Sequence, residues 1–304
     1  MKKRNSLIEL YRFIFAMNVV KGHGYFPIEL AYVGPARISV EFFFVLTGYL
    51  LIRSISKYTD GPYVKGLWHF MLAKLKPLAI PVIVALPFNI LYEILLSDGS
   101  INLWGYLWYV RDMLQFFIVY FTLRYFLKSE RAFIACTAVI FSVCAVLHST
   151  ETFYSWGIVR AGMGISCGML LSYIPKLKLK SKILPAALTT VFGIASALIL
   201  VMYYANDLAV ETILDLIIYP GLIYFTFNLN VGSKLLDYLG ALSFGLYAFQ
   251  CVIRPLEVLG VGSVPVYFAI IVGLTLIEDA VKRIARAHKA KLALQTNSSV
   301  TSDA

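Results

Sequence analysis

Arg12 and His23 stand with ten residues between them in the mostly apolar stretch "YRFIFAMNVVKGHGYF" near the amino terminus. A step of eleven residues in an α-helix returns to within about 20° of the starting face. Both side chains are therefore expected on one stripe, about 16 Å apart along the axis. A guanidinium binds anions well, and an imidazole exchanges protons near neutral pH. The spacing predicts a helix face with an anion-binding end and a proton-transfer end, although a structural ion pair with an interfacial histidine explains these residues equally well.

Two acidic residues are placed to support this pair. Glu9 lies three residues before Arg12 on the same helix face and can form an ion pair with it. Glu41 starts the second predicted helix near the same outer face as His23, where its carboxylate could orient the imidazole and stabilise the imidazolium. The same residue is also explained as a carboxylate at the positive end of a helix dipole.

Further ionisable residues lie within apolar segments, where a charge is costly and normally faces the interior of a helix bundle. Arg111 precedes Asp112 and lies near Trp108, and an aromatic ring beside an arginine suits a sugar or an adenine. A neutralised structural pair of Arg111 and Asp112 is an equal alternative. Arg160 is placed either to contact a phosphate or to balance the charge of Asp215.

The histidines and cysteines show no spacing typical of a metal-ligand set, so no metal site is predicted. All four cysteines fall in apolar segments and are interpreted as small apolar side chains. His148 lies at the outer end of a predicted helix, and it is a second, weaker candidate for a base.

Composition indicates the elements that must position these residues. The chain has 304 residues, of which 60% are hydrophobic and only 14% charged, whereas soluble domains are about 25% charged. Mean hydropathy is +0.77, and several apolar runs are long enough to cross a hydrocarbon core of about 30 Å. The sequence predicts an all-α, polytopic integral membrane protein with about ten transmembrane helices. Their predicted ranges are 7–24, 38–55, 77–96, 103–124, 132–149, 156–175, 183–204, 210–228, 238–254 and 264–282.

The cations predict the orientation in the membrane. The net charge is +10, and most lysines and arginines fall in loops on one predicted side, including the segments "KLKLKSK" and "KRIARAHKAK". The positive-inside rule then places both termini in the cytoplasm. The expected location of the protein is the cytoplasmic (inner) membrane of a bacterial cell. This distribution argues against nucleic acid as a partner. Residues 1–291 are predicted to form one transmembrane domain, and the polar segment 292–304 is predicted to be disordered.

Five segments resemble one known family, in the right order. "IELYRFIFAMNVVKGHG" is similar to that family's first helix, which carries an acidic residue, then Arg, ten residues and His; "ISVEFFFVLTGYLL" is similar to its second helix. The segments "LWYVRDML", "RAGMGISCGMLL" and "YLGALSFGLYAFQ" resemble three weaker motifs further along the chain. On these residues the chain resembles the membrane acyltransferase-3 family. Phe244 and Gln250 depart from the family pattern, since Tyr and His are common at those positions.

The resemblance implies an O-acyltransferase that moves an acyl group, usually acetyl from acetyl-CoA, to a hydroxyl of a cell-surface or lipid-linked glycan. Acyl-CoA is then the donor substrate, and no bound cofactor is expected. Arg12 is placed to bind the donor's phosphates from the cytoplasm, with the inner lysines as an electrostatic funnel. His23 is the candidate general base, and Glu41 completes the predicted catalytic set. The predicted substrate-binding residues are Glu9, Trp108, Arg111 and Arg160.

A secondary transporter or flippase of about ten helices is the main alternative, because it would also use buried charges and cavities. Such a protein would move its substrate without covalent change. A catalytically inactive accessory protein is a third interpretation, encouraged by Phe244 and Gln250.

Overall fold

The structure, a computed structural model, describes residues 5–26, 36–96, 107–150, 157–177, 181–202, 208–229 and 231–302. Helices account for all the regular structure within these ranges. They are α1 (Ser6–Gly22), α2 (Ala36–Ile55), α3 (Tyr63–Leu75), α4 (Ala79–Leu96), α5 (Trp108–Phe126), α6 (Glu130–His148), α7 (Gly157–Ser172), α8 (Ile183–Met202), α9 (Leu208–Ile213), α10 (Tyr219–Asn228), α11 (Lys234–Ala248), α12 (Gln250–Val258) and α13 (Val264–Ser302). A π-helical turn, Leu214–Ile218, joins α9 to α10.

Six helical stretches of the described residues are long and apolar enough to cross a membrane. They are Ile38–Ile55, Ala79–Leu96, Glu130–His148, Val210–Asn228, Lys234–Val258 and Val264–His288. Two shorter apolar helical segments, Gly157–Ser172 and Ile183–Ile199, accompany them. The all-helical membrane architecture is therefore confirmed, while the number of ten spans and the cytoplasmic location of both termini stay predictions.

Three elements differ from the predicted helices. Helix α3 is not one of the helices predicted from the sequence. Its apolar residues alternate with Lys and His, so the mean hydropathy over a membrane-length window is not high there. The predicted helix 238–254 is divided at Phe249 into α11 and α12. Helix α13 continues to Ser302 and so includes most of the segment for which the sequence predicts disorder.

Side-chain caps define the start of several helices, including the one that carries Arg12. The Asn5 side chain accepts a hydrogen bond from the Leu7 amide at 3.1 Å, which satisfies one of the free N–H groups of the first turn of α1. The Asn5 amide also donates to the carbonyl oxygens of Thr226 and Leu229, at 2.7 and 2.9 Å. One residue thus starts α1 and ties it to the end of α10.

Helix α2 is the central element, because α1 and α7 both pack against it. Gly48 and Gly168 make the approach of α2 to α7 possible: a Cβ at either position would overlap a backbone carbonyl of the other helix. Close backbone contact through small residues is a usual way to associate helices in a membrane, where burial of apolar surface gives little driving force. On the other side of α2, the rings of Phe15 and Phe42 stack with centroids 4.2 Å apart.

We predict that Gly168→Leu destabilises the protein by about 1–3 kcal/mol or more, the range typical of overpacking. The added side chain would meet the carbonyl oxygen of Val45, which the helix backbone cannot move. Thermal unfolding in detergent measures the effect. Gly273→Leu in α13 is the matched control, because a Cβ there has no neighbour within 4 Å; equal unfolding midpoints for the two variants would contradict the proposed role of the glycine contact.

Candidate active site

A cavity of about 650 Å³ lies between α1, α2, α5 and α11, and it is the centre of the candidate site. The end of α3 and the start of α4 close one side of it, through Lys74, Pro77 and Leu78. Its apolar wall is formed by Phe43, Met113 and Phe244, among other residues. The polar residues of the wall include Glu9, Arg12, Thr47, Lys74, Tyr109, Ser243 and Tyr247. This combination of an apolar wall with a few polar groups is typical of a small-molecule site.

Arg12 lies in the wall of this cavity with its predicted partner. Its Nη1 donates to Oε2 of Glu9 at 2.7 Å, so the ion pair expected from the spacing is present. The Arg12 side chain is 30% exposed, whereas that of Glu9 is 10% exposed. Glu9 is covered because Gly240 of α11 packs directly on it; a Cβ at that glycine would overlap the carboxylate. The pair therefore leaves part of the guanidinium accessible from the cavity.

Lys74 is a second cation in the wall of the same cavity. The sequence alone does not distinguish it from the other lysines predicted on the inner side. Its ammonium lies over the rings of Phe70 and Phe117, 5.5 and 5.4 Å from their centroids. Burial, with the nearby charge of Lys57, lowers the pKa of Lys74 to about 8. The position of Lys74 four residues after Phe70, on the buried face of α3, is the sequence signal that would have distinguished it.

His23 lies at the other end of α1, one residue beyond its last helical residue, and is not among the residues that line the cavity. Its Nδ1 is 3.3 Å from Nη2 of Arg254 in α12. Arg254 also binds Oε2 of Glu257 through Nη1 at 3.0 Å. An arginine side chain can only donate hydrogen bonds, so Nδ1 of His23 accepts the one from Arg254 and the imidazole is in its neutral form.

Glu41 forms an ion pair with Arg160, whereas the sequence predicts a contact with His23. Nε of Arg160 donates to Oε1 of Glu41 at 2.5 Å, and both side chains are almost fully buried. The described charged neighbours of His23 are Arg254 and Glu257 rather than Glu41. Glu41 takes Arg160 as its partner because the close contact of α2 with α7 brings the two residues face to face across the helix interface.

The other predicted substrate-binding residues lie outside the cavity wall. The guanidinium of Arg160 lies over the Trp108 ring, 5.0 Å from the ring centroid. Nε of Arg111 donates to Oδ1 of Asp112 at 2.6 Å, and the Asp112 side chain is completely buried. These contacts favour the structural alternative for Arg111 and Asp112. Asp215, the other expected partner of Arg160, has both Arg160 and Glu41 as electrostatic neighbours.

Two further expectations concern histidine and metal. His148 is buried at the end of α6 and does not line the cavity, so the structure gives no support to a role as base in this cavity. Within the described ranges, no group of three or more His, Cys, Asp or Glu side chains could hold a metal ion.

Comparison with known proteins adds the class of activity. Residues 6–277 match the model of a family described as an acyltransferase domain, the acyltransferase-3 family. The chain belongs to the acyltransferase-3 family. The match includes every polar residue of the cavity wall named above, as well as His23 and Arg254. Neither the curated proteins nor the solved structures contain a match. The protein is accordingly a membrane acyltransferase.

We predict that Glu41 and Arg160 depend on each other for stability. Removing one partner of a buried ion pair leaves an uncompensated charge and typically costs about 3–5 kcal/mol. Arg160→Met and Glu41→Met should each lower the thermal unfolding midpoint. The decrease in the double variant should be much smaller than the sum of the two single decreases. Arg283→Met removes an arginine that is 57% exposed from its ion pair with Asp279, which is 11% exposed, and it should cost less than Arg160→Met because water reaches the pair. Additive losses in the double variant would show that the pair is not coupled.

Proposed function

We propose that the protein transfers acetyl from cytoplasmic acetyl-CoA to a hydroxyl of a cell-surface or lipid-linked glycan, in the inner membrane of a bacterium. The observation that carries this proposal is the cavity with two cations, Arg12 and Lys74, beside an apolar wall. The donor has the matching chemistry, with phosphates at one end and an acyl thioester on a flexible arm at the other. No bound cofactor takes part in the proposed reaction.

The donor's phosphates are proposed to bind at Arg12 and Lys74. A guanidinium bonds a phosphate through two parallel N–H groups, and Glu9 holds the Arg12 guanidinium in place at 2.7 Å. Lys74 remains mostly protonated at neutral pH, because its pKa is about 8. The cationic loops predicted on this side would concentrate an anionic donor near the cavity.

The thioester arm is proposed to run from the cavity towards His23, along the face of α1 that joins Arg12 to His23. His23 takes the proton of the acceptor hydroxyl as general base. The hydroxyl oxygen then forms a bond to the thioester carbonyl carbon, the C–S bond breaks, and the departing thiolate receives the proton from the imidazolium. The products are the O-acetylated acceptor and free coenzyme A.

Glu41 is proposed to act at a distance from the reacting atoms, in contrast to the direct role expected from the sequence. Through Arg160 it fixes α2 against α7, and Trp108 covers the guanidinium from the other side. Helix α2 in turn supplies Phe43 and Thr47 to the cavity wall. Glu41 and Arg160 therefore support the site, and Arg12 and His23 are proposed to contact the substrates.

Transfer of label tests the proposed reaction directly. Membranes or purified protein incubated with acetyl-CoA radiolabelled in the acetyl group should yield labelled glycan or lipid-linked sugar. Substrate that crosses the membrane with no covalent label would instead indicate a transporter, and would contradict the proposal.

Arg12→Ala and Lys74→Met should each weaken acetyl-CoA binding. A hydrogen bond to a charged group contributes about 1.5–3 kcal/mol, which corresponds to a loss of about 10- to 150-fold in affinity. Arg12→Lys should retain only part of the wild-type affinity for acetyl-CoA, because an ammonium keeps the charge but cannot form two parallel hydrogen bonds to a phosphate. Calorimetric titration of purified protein with acetyl-CoA measures the effect.

Lys76→Met is the matched control for Lys74→Met. Lys76 lies two residues further along, is exposed, and is not part of the cavity wall. Equal weakening by Lys76→Met and Lys74→Met would show that general positive charge, and not the cavity, attracts the donor.

His23→Gln should lower the rate of acyl transfer by about 10²- to 10⁴-fold, the usual contribution of a general base. Acetyl-CoA affinity should stay near that of the wild type, because His23 is remote from Arg12 and Lys74. Glutamine keeps hydrogen bonding and loses proton transfer, so a His23→Gln protein with nearly normal turnover would exclude the imidazole as the base.

A further inference from the structure

His23 belongs to a polar network at the end of α1 whose other members, Arg254, Glu257 and Tyr25, have no role in the acyl transfer proposed above. Nη2 of Arg254 is 3.3 Å from Nδ1 of His23, and Nη1 of Arg254 is 3.0 Å from Oε2 of Glu257. The hydroxyl of Tyr25 donates to the same Glu257 oxygen at 2.8 Å. The Arg254 guanidinium also lies over the Tyr25 ring, 5.3 Å from its centroid.

The contact between Arg254 and His23 fixes the position of the imidazole proton. An arginine side chain has only N–H donors and no acceptor, and it stays protonated in proteins. Nδ1 of His23 must therefore be the acceptor in this hydrogen bond. A neutral imidazole has one protonated and one unprotonated nitrogen, so the proton is on Nε2. In this arrangement the only lone pair that could take a proton is the one occupied by Arg254.

Charged groups around His23 act in opposite directions. Arg254 and Glu257, both from α12, are the charges that influence its titration. Lys21, on α1 itself, is two residues away. From α13 the ring of Tyr267 packs edge-on against Tyr25, 5.9 Å between centroids. Among the residues that the structure describes, Arg254 is the cation in contact with the imidazole, and it comes from a different helix.

We propose that Arg254 is a positioning residue that holds His23 in a neutral, non-basic form with the proton on Nε2, and that His23 becomes a base when Arg254 withdraws onto Glu257. Glu257 already binds the other arm of the guanidinium, so withdrawal requires a movement of one side chain and no loss of its ion pair. The proton count is unchanged by this movement: Nε2 keeps its proton and Nδ1 gains a free lone pair. The acceptor's hydroxyl proton then moves to Nδ1 and passes to the departing thiolate.

This inference rests on the proposed role of His23 in acyl transfer, but its first test needs no catalysis. Nitrogen-15 NMR of protein labelled in histidine distinguishes protonated from unprotonated ring nitrogens. Signals of His23 are assigned by their loss in His23→Gln. In the wild type near pH 7 we expect a neutral ring with the proton on Nε2, and the ring should take up its second proton only on further acidification.

Two variants should move this titration in opposite directions. Arg254→Met removes the donor and its charge, so the fixed tautomer should be lost and the titration should shift upward relative to the wild type. Glu257→Gln removes the carboxylate that favours the imidazolium, so the proton should stay on Nε2 and the titration should shift downward. Unchanged tautomer and titration in Arg254→Met, or a proton on Nδ1 in the wild type, would overturn the proposal.

The acid limb of kcat/KM for acyl transfer, which reports groups of the free enzyme, provides the functional readout. It should move to higher pH in Arg254→Met and to lower pH in Glu257→Gln. A merely structural role for Arg254 would lower the rate equally at every pH. If the wild type transfers no acyl group, the proposed function fails, whereas the NMR result still decides the role of Arg254.

Arg283→Met is the matched control for Arg254→Met. Arg283 also combines an acidic partner with an aromatic ring: it binds Asp279 at 2.7 Å and lies over Tyr238, 4.6 Å from its centroid. It comes from α13 and has no described contact with His23. The control should leave both the NMR spectrum of His23 and the pH profile unchanged, and a shift as large as that of Arg254→Met would contradict the proposal.

Discussion

A charged side chain within a bilayer must be paired or must reach water, and this constraint organises the whole molecule. The Glu41–Arg160 ion pair satisfies it at the centre of the bundle, where α2 meets α7 with both side chains almost fully buried. Gly48 and Gly168 bring the two backbones close enough for the pair to form. If that contact were loosened, the two charges would separate, and the wall that α2 supplies to the cavity would shift with them.

The same constraint separates the charges that hold the fold together from those that are available for chemistry. Arg160 and Asp112 are buried, and each forms an ion pair within the protein, with Glu41 and Arg111 respectively. Arg12 is paired on one side by Glu9 and remains partly exposed towards the cavity. His23, at the opposite end of α1, has one ring nitrogen occupied by Arg254. One helix thus positions an anion-binding group and a titratable group at its two ends.

Local features of the site could be predicted from the sequence, because they depend on helical spacing alone. The Glu9–Arg12 pair is three residues apart on one helix, and the structure contains it. The partners of Glu41 and His23 are 119 and 231 residues distant in the chain, and no local pattern identifies them. Helix α3 is not predicted from the sequence for a related reason. One buried face of α3 brings Lys74 to the cavity, whereas mean hydropathy averages over all faces of a helix.

We propose that the phosphate-bearing nucleotide end of the donor occupies the cavity between α1, α2, α5 and α11. Photocrosslinking with an acetyl-CoA analogue that carries a photoreactive group on its adenine, followed by mass spectrometry of the labelled peptides, tests this placement directly. We predict adducts on cavity-wall residues such as Phe43, Met113 and Phe244, and their loss when excess acetyl-CoA is present. Adducts confined to helices outside the cavity, or labelling that acetyl-CoA does not reduce, would contradict the account.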